Sequence, residues 1–238
     1  MKGALFAALA GLADLLGGLV VLSHRGPRRT LDVLVGFGAG FMLAVALIEM
    51  TPKAVQLEHG FLAILAGYLV VHFTQHAFTP HFHFGEETHK EAMVSRGVGI
   101  WALAGLLPHS FFDGVAIGSG FMDSDALGLL VFTAILLHKV PTGISLASIM
   151  LASGNSRRDA VLALMALVVV TIAGALVTPV VASLAAYGLA LAAGVTLYVA
   201  ASNLIPESHH RRSWPVQSGI VAGVAAFFVA RMLLAAGG

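Results

Sequence analysis

Long apolar runs separated by short polar breaks dominate the chain. A helix needs about 20 apolar residues to cross roughly 30 Å of hydrocarbon. That ruler picks out eight runs, at 3–23, 31–52, 60–78, 97–121, 126–151, 160–182, 186–206 and 216–236. The breaks carry turn and charge residues: HRGPRR (24–29), QLEHG (56–60), FMDSD (121–125), SGNSRRD (153–159) and ESHHRRSW (207–214). One connection is long, from Thr79 to Arg96. The pattern predicts an all-α polytopic membrane protein of eight transmembrane helices, in one transmembrane domain over residues 1–238 with a loop at 79–96. The run from Gly3 to Ser23 exceeds a signal-peptide core and lacks a clear cleavage site, so it reads as a span that is kept.

Composition agrees. The chain is 58% hydrophobic with 11% charged residues, against about 25% charged in a soluble domain. Lipid, not one packed core, must solvate that surplus. Glycine is abundant at 27 residues, as where helices approach closely inside a bilayer. The chain has no cysteine, which excludes disulfides and thiolate ligands. A net charge of +1 speaks against a nucleic-acid partner.

Charge in the loops sets an expected orientation. Alternate connections hold Arg25, Arg28, Arg29, Lys90, Arg96, Arg157, Arg158, Arg211 and Arg212. The opposite side holds little beyond Lys2 and Lys53, with Glu58, Asp123 and Asp125. The long loop is therefore expected in the cytoplasm and both termini outside, which requires an even number of spans.

Two runs end alike. Span two closes on Glu49-Met-Thr-Pro52, and span seven on Asn203-Leu-Ile-Pro206-Glu207. Proline-interrupted segments at matching places in two halves point to a transporter's binding site. The halves would be inverted, since spans two and seven cross in opposite directions. The plainer reading is that each proline closes a helix near the interface.

Ionisable groups deep in a membrane span face a cavity, a bundle interior or a partner. Span four holds Leu107-Pro108-His109-Ser110-Phe111-Phe112-Asp113-Gly114, and span five holds Leu137-His138-Lys139-Val140-Pro141-Thr142-Gly143. His109 and Asp113 stand four apart, on one helical face. His138 in the neighbouring span completes a third corner. Nitrogen and oxygen donors without sulfur suit Zn²⁺, and also Fe²⁺, Mn²⁺, Co²⁺, Ni²⁺ or Cd²⁺. Pro108 and Pro141 free the carbonyls of Ala104 and Leu137, tolerable at depth where they line a cavity. Gly114, Gly118 and Gly143 let the helices pack closely. Glu49 reads either as a further ligand or gating acid, or as an interface acid. His76, His81, His83 and His89, with Glu86 and Glu87, read as a cytoplasmic metal-landing loop or as a plain polar linker. His72 and His76 could line an exit, and His209 and His210 are ambiguous.

On these motifs the chain resembles the ZIP metal transporters. Their fourth span carries a His-Asn-x-x-(Asp/Glu)-Gly type motif and their fifth a His-x-x-Pro-x-Gly type motif. Here those stretches read His109 to Gly114 and His138 to Gly143, while Ile205-Pro206-Glu207 matches the end of the family's span seven. The resemblance implies a 3+2+3 inverted-repeat architecture. It implies transport of a divalent metal toward the cytoplasm, zinc foremost, by motion of spans one, four, five and six against the rest. The localisation implied is a plasma or inner membrane, and the partners are bilayer lipid, metal ions and a homodimeric second copy. No organic cofactor is expected.

The departures from the family sharpen the expectation. The first-site pattern would add a carboxylate where this chain has Thr142. The second-site pattern would use positions 110, 139 and 203, which are Ser110, Lys139 and Asn203. Glu207 and Glu49 remain acids of unassigned place. An ammonium at Lys139 puts a fixed positive charge where a second cation would sit, so a mononuclear site is expected, with Lys139 paired to Asp113 or a nearby acid. Two other classes compete. An intramembrane zinc-dependent lipid hydrolase could use His109, Asp113, His138 and Ser110. A light-driven pump with Lys139 as Schiff-base lysine is disfavoured by its place in span five and by 8% aromatic content.

Overall fold

The computed structural model describes residues 2–23, 28–78, 96–205 and 214–236, and every regular element among them is helical. Span one is α1 (Lys2–Ser23). Span two is α2 (Arg28–Ala44), a π-helical segment (Val45–Met50) and the short α3 (Thr51–Ala54). Spans three to six are α4 (Gly60–Phe78), α5 (Arg96–Asp123), α6 (Asp125–Ala152) and α7 (Arg157–Val177). Span seven is α8 (Ala182–Tyr198) followed by a second π-helical segment (Val199–Leu204), and span eight is α9 (Trp214–Ala236). By length and composition seven of these helices can cross a membrane, and α4 adds the shorter apolar run Gly60–Thr74. The chain is a multi-pass membrane protein. Helices suit such a solvent because they satisfy their own backbone groups where no water can. Large apolar side chains such as Leu5, Leu16, Phe61, Trp214 and Met232 lie on the outside, where lipid replaces a protein core.

Span six is shorter than the apolar pattern predicts. It stops at Val177 rather than at 182, and Thr178 to Val181 form a turn. Pro179 supplies the reason: it has no N–H to return to the Ala175 carbonyl, so the helical ladder breaks there although the apolar run continues past it.

The packing has an internal two-fold. α1 packs against α6 and α7, and α7 against α5 and α1. α2 packs on α9, and α4 on α8. α5 and α6 pack on each other; α5 also touches α8, as α6 touches α2. Exchanging α1 with α7, α2 with α8, α4 with α9 and α5 with α6 returns the same set of neighbours. The exchanged spans cross in opposite directions, so the arrangement is a 3+2+3 inverted repeat.

Both interrupted spans use one device. Proline has no N–H and its ring collides with the preceding turn. The chain does not stop helical winding before Pro52; it widens to a π turn, and the Thr51 N–H reaches back five residues to the Ala46 carbonyl. At the matching place in span seven the Ile205 N–H reaches the Ala200 carbonyl. Pro206 itself lies outside the described residues, as do Glu207, His81, His83, His89, His209 and His210.

Caps and charges close the ends. Ser124 caps α6, accepting from the Leu127 N–H, and Ser156 with Asp159 forms a capping box on α7. At one end of the bundle Lys2 pairs with Asp125 at 2.6 Å and Lys53 with Asp123 at 2.5 Å. At the other, Arg157 donates to the Leu22 carbonyl and Arg96 to that of Gly154. The Lys53–Asp123 pair is partly exposed. Lys53→Ala should therefore shift stability by no more than about 1 kcal/mol, read as a small change in thermal unfolding of the detergent-solubilised chain.

Candidate metal centre

Helices α1, α5, α6 and α7 meet around a buried polar cluster. Two matched pairs of glycines bring them close. A Cβ at Gly143 of α6 would lie 1.9 Å from the Asp14 carbonyl oxygen of α1, and one at Gly17 2.3 Å from that of Val140. The other half repeats this: a Cβ at Gly114 of α5 would lie 1.9 Å from the Thr171 oxygen of α7, and one at Gly174 2.1 Å from that of Phe111. Only bare backbones allow such separations.

At the centre, three side chains converge. His109 and Asp113 come from one face of α5, His109 directly after Pro108 and Asp113 one turn further on, and His138 comes from α6, one turn before Pro141. All three are buried. Asp113 Oδ2 lies 3.4 Å from His109 Nε2 and 3.4 Å from His138 Nε2, and the two Nε2 atoms are 3.3 Å apart. A tetrahedral zinc holds nitrogen and oxygen ligands at roughly 2.1 Å, which sets its ligand atoms about 3.4 Å from one another. The triangle thus has the edge lengths of one face of a zinc tetrahedron. His138 Nδ1 lies 3.3 Å from the Ala134 carbonyl. Protonated there it donates to that oxygen, leaving the Nε2 lone pair aimed at the centre. As ligands these three would leave the fourth position of a tetrahedral ion open.

Lys139 fills the neighbouring space and is fully buried, at 0% exposure. Its Nζ lies 3.1 Å from Asp113 Oδ2, 3.0 Å from Ser110 Oγ and 3.1 Å from Thr171 Oγ1. Nearest of all is Asp14 Oδ2 of α1, at 2.8 Å. A buried charge without a partner is very costly, and Asp14 is also buried. Asp14 and Thr171 did not emerge from the motifs. A carboxylate in the middle of span one was signal enough for Asp14, by the rule that brought out His109 and Asp113.

The other candidates lie elsewhere. The Thr142 hydroxyl donates to the His138 carbonyl, 2.9 Å away, and so steadies that turn of α6. Glu49 pairs with Arg231 of α9 at 2.6 Å, so its charge is answered across spans two and eight. Asn203 lies in the second π-helical segment, and His76 in α4. His72 packs edge-on against Tyr198, beside a Tyr68–Ser202 hydrogen bond, between spans three and seven.

The family profile described as ZIP Zinc transporter matches residues 83–231, which include α5, α6 and all three converging ligand candidates. The chain belongs to the ZIP zinc transporter family. Among its relatives, zinc transporter SLC39A7 of Mus musculus is 34% identical over 159 residues, 58% of this chain and 32% of that protein. The Homo sapiens protein of the same name is also 34% identical, over 58% of this chain and 33% of its own length. Zinc transporter ZupT of Enterobacter sp. (strain 638) is 27% identical over 65% of this chain and 63% of its own. The chain spans about a third of the length of the animal relatives it matches.

Proposed function

We propose that this ZIP chain carries divalent transition-metal ions, zinc foremost, across a plasma or inner membrane toward the cytoplasm, one ion at a time. The observation that carries the reading is the triangle of His109 Nε2, His138 Nε2 and Asp113 Oδ2, whose 3.3–3.4 Å edges suit a tetrahedral zinc. The relatives are named zinc transporters, in keeping with zinc as cargo and with transport rather than lipid hydrolysis. Ser110, which the hydrolase alternative places beside the metal, is engaged instead as an acceptor from Lys139.

The site is mononuclear because Lys139 holds the second-metal position. A unit cation beside a divalent ion repels it by about 8 kcal/mol at 4 Å and an effective dielectric constant of 20, twice the value for two unit charges. Two divalent ions and an ammonium around one shared carboxylate would be far worse. The fixed charge also loosens the first ion, which favours release over storage. Nitrogen and oxygen donors leave Fe²⁺, Mn²⁺, Co²⁺, Ni²⁺ and Cd²⁺ as further cargo.

Helices α1, α5, α6 and α7 move together against the others. The glycine contacts and the four-way clasp on Lys139 tie those four helices into one body. The arginine-rich connections face the cytoplasm and both termini lie outside, following the loop charges. The widened turns of spans two and seven, which hold Glu49 and Asn203, belong to the static part; the histidines of the 79–96 loop receive the ion. Two copies form the assembly.

Zinc uptake into proteoliposomes that enclose a fluorescent zinc indicator tests the function. Saturable influx with the wild-type chain, above the leak of protein-free vesicles, is expected. Identical traces from the two would contradict it.

A further inference from the structure

The polar centre holds more acceptors than its ammonium can use. Lys139 has three N–H donors, yet four oxygens lie within 3.1 Å of its Nζ: Asp14 Oδ2, Ser110 Oγ, Asp113 Oδ2 and Thr171 Oγ1. One of the four is surplus. Asp113 Oδ2 is also the oxygen that faces both imidazoles, at 3.4 Å each. A single atom is thus claimed by the ammonium and by the metal triangle.

We propose that Asp14 is a site residue: it is the counter-ion that keeps the Lys139 ammonium when a divalent ion takes Asp113, and so sets the affinity of the metal site. The inference rests on the metal-site reading above. Once the ion holds Asp113 Oδ2, Lys139 gives up that contact and is left with Asp14, Ser110 and Thr171, three acceptors for three protons. Only Asp14 among them is charged. The Thr171 hydroxyl donates its hydrogen bond to the Leu167 carbonyl and so presents lone pairs to the ammonium. Asp14 in turn depends on Lys139: both its carboxylate oxygens are buried with no hydrogen-bond partner among the described residues, and the 2.8 Å ion pair of Oδ2 with the ammonium answers its charge. Asp14 does not touch the ion. It is a positioning residue that acts through Lys139, and it is delivered by the close contact of α1 and α6 at Gly143.

Without the Asp14 charge the ammonium has one carboxylate left, Asp113, and competes with the ion for it. Asp14→Asn should therefore weaken zinc binding roughly tenfold. Asp14→Glu, which keeps the charge, should restore most of the loss. Asp14→Asn with Lys139→Gln, which removes competitor and counter-ion together, should bind zinc at wild-type affinity or tighter.

The measurement is zinc binding to the full chain in detergent micelles, by competition with a chromogenic chelator, with the size-exclusion profile as the check on folding. Wild-type affinity in Asp14→Asn overturns the inference. So does a loss that the double variant does not recover, because Asp14 would then serve packing alone. Should Asp14→Asn fail to fold, the double variant, which leaves no unpaired charge at the Asp14–Lys139 contact, decides: binding as tight as wild type supports the inference, and weakened binding overturns it. His109→Ala separates the two readings. Its loss of zinc leaves the metal site standing whatever Asp14 does, whereas wild-type binding would bring down the site itself.

Discussion

Replacing Asp113 by alanine is expected to cut zinc uptake more than about 100-fold, since even groups that only orient a ligand are worth 10–100-fold. Asp113 is the sole carboxylate of the triangle, and its Oδ2 stands at equal distance from both imidazoles. It also supplies one of the two negative charges around Lys139. The variant keeps two neutral nitrogen ligands beside a buried ammonium, which repels any divalent ion. Asp113→Asn should fail nearly as badly, because it restores shape without charge. Proteoliposome flux is the readout, normalised to folded protein. His109→Ala combined with Asp113→Ala should do no worse than Asp113→Ala alone, for one lost corner already opens the site. Wild-type flux from that double variant would refute the assignment.

The second large effect concerns a residue with no side chain. Gly143→Ala places a methyl group where the Asp14 carbonyl oxygen now sits, 1.9 Å from it and 2.7 Å from its carbon. Both atoms are backbone, so no rotamer change relieves the clash, and α1 and α6 must separate. Overpacking a tight contact costs about 1–3 kcal/mol, and the upper end is expected here. The separation also draws Asp14 away from Lys139. Gly143→Ala should therefore lower both the unfolding temperature and the zinc affinity. An unchanged melting curve would show that the helices do not depend on this contact. Gly114→Ala, against Thr171 in the other half, should behave alike.

Much of this architecture was legible in the residues. The spacing of apolar runs marked all eight spans, because a bilayer demands a minimum length and forgives little charge. His109, Asp113 and His138 stood out since ionisable groups at that depth need a reason, and the structure brings those three together. Lys139 stood out likewise, with Asp113 or a nearby acid expected beside it; Asp113 lies 3.1 Å from its Nζ, and a nearer acid lies at 2.8 Å. That acid is Asp14, which carried the same depth signal but no proline or second ligand beside it. Thr171 carried no signal, as hydroxyls are common in spans. The end of span six was misplaced because hydropathy ignores the backbone N–H that Pro179 lacks. The prolines of spans two and seven marked matching positions, but nothing in a sequence distinguishes a helix that stops at Pro52 from one that widens into a π turn. The Glu49–Arg231 pair joins residues 182 positions apart and needed the packing of α2 on α9 to appear.

The central claim is one ion at His109, Asp113 and His138, with Lys139 in place of a second. It is tested most directly by a zinc-soaked crystal structure with data collected at the zinc absorption edge. A single anomalous peak between α5 and α6 is predicted, roughly 2.1 Å from each of the three ligand atoms, with Lys139 drawn toward Asp14. Two peaks flanking Asp113, or one peak remote from both histidines, would contradict it.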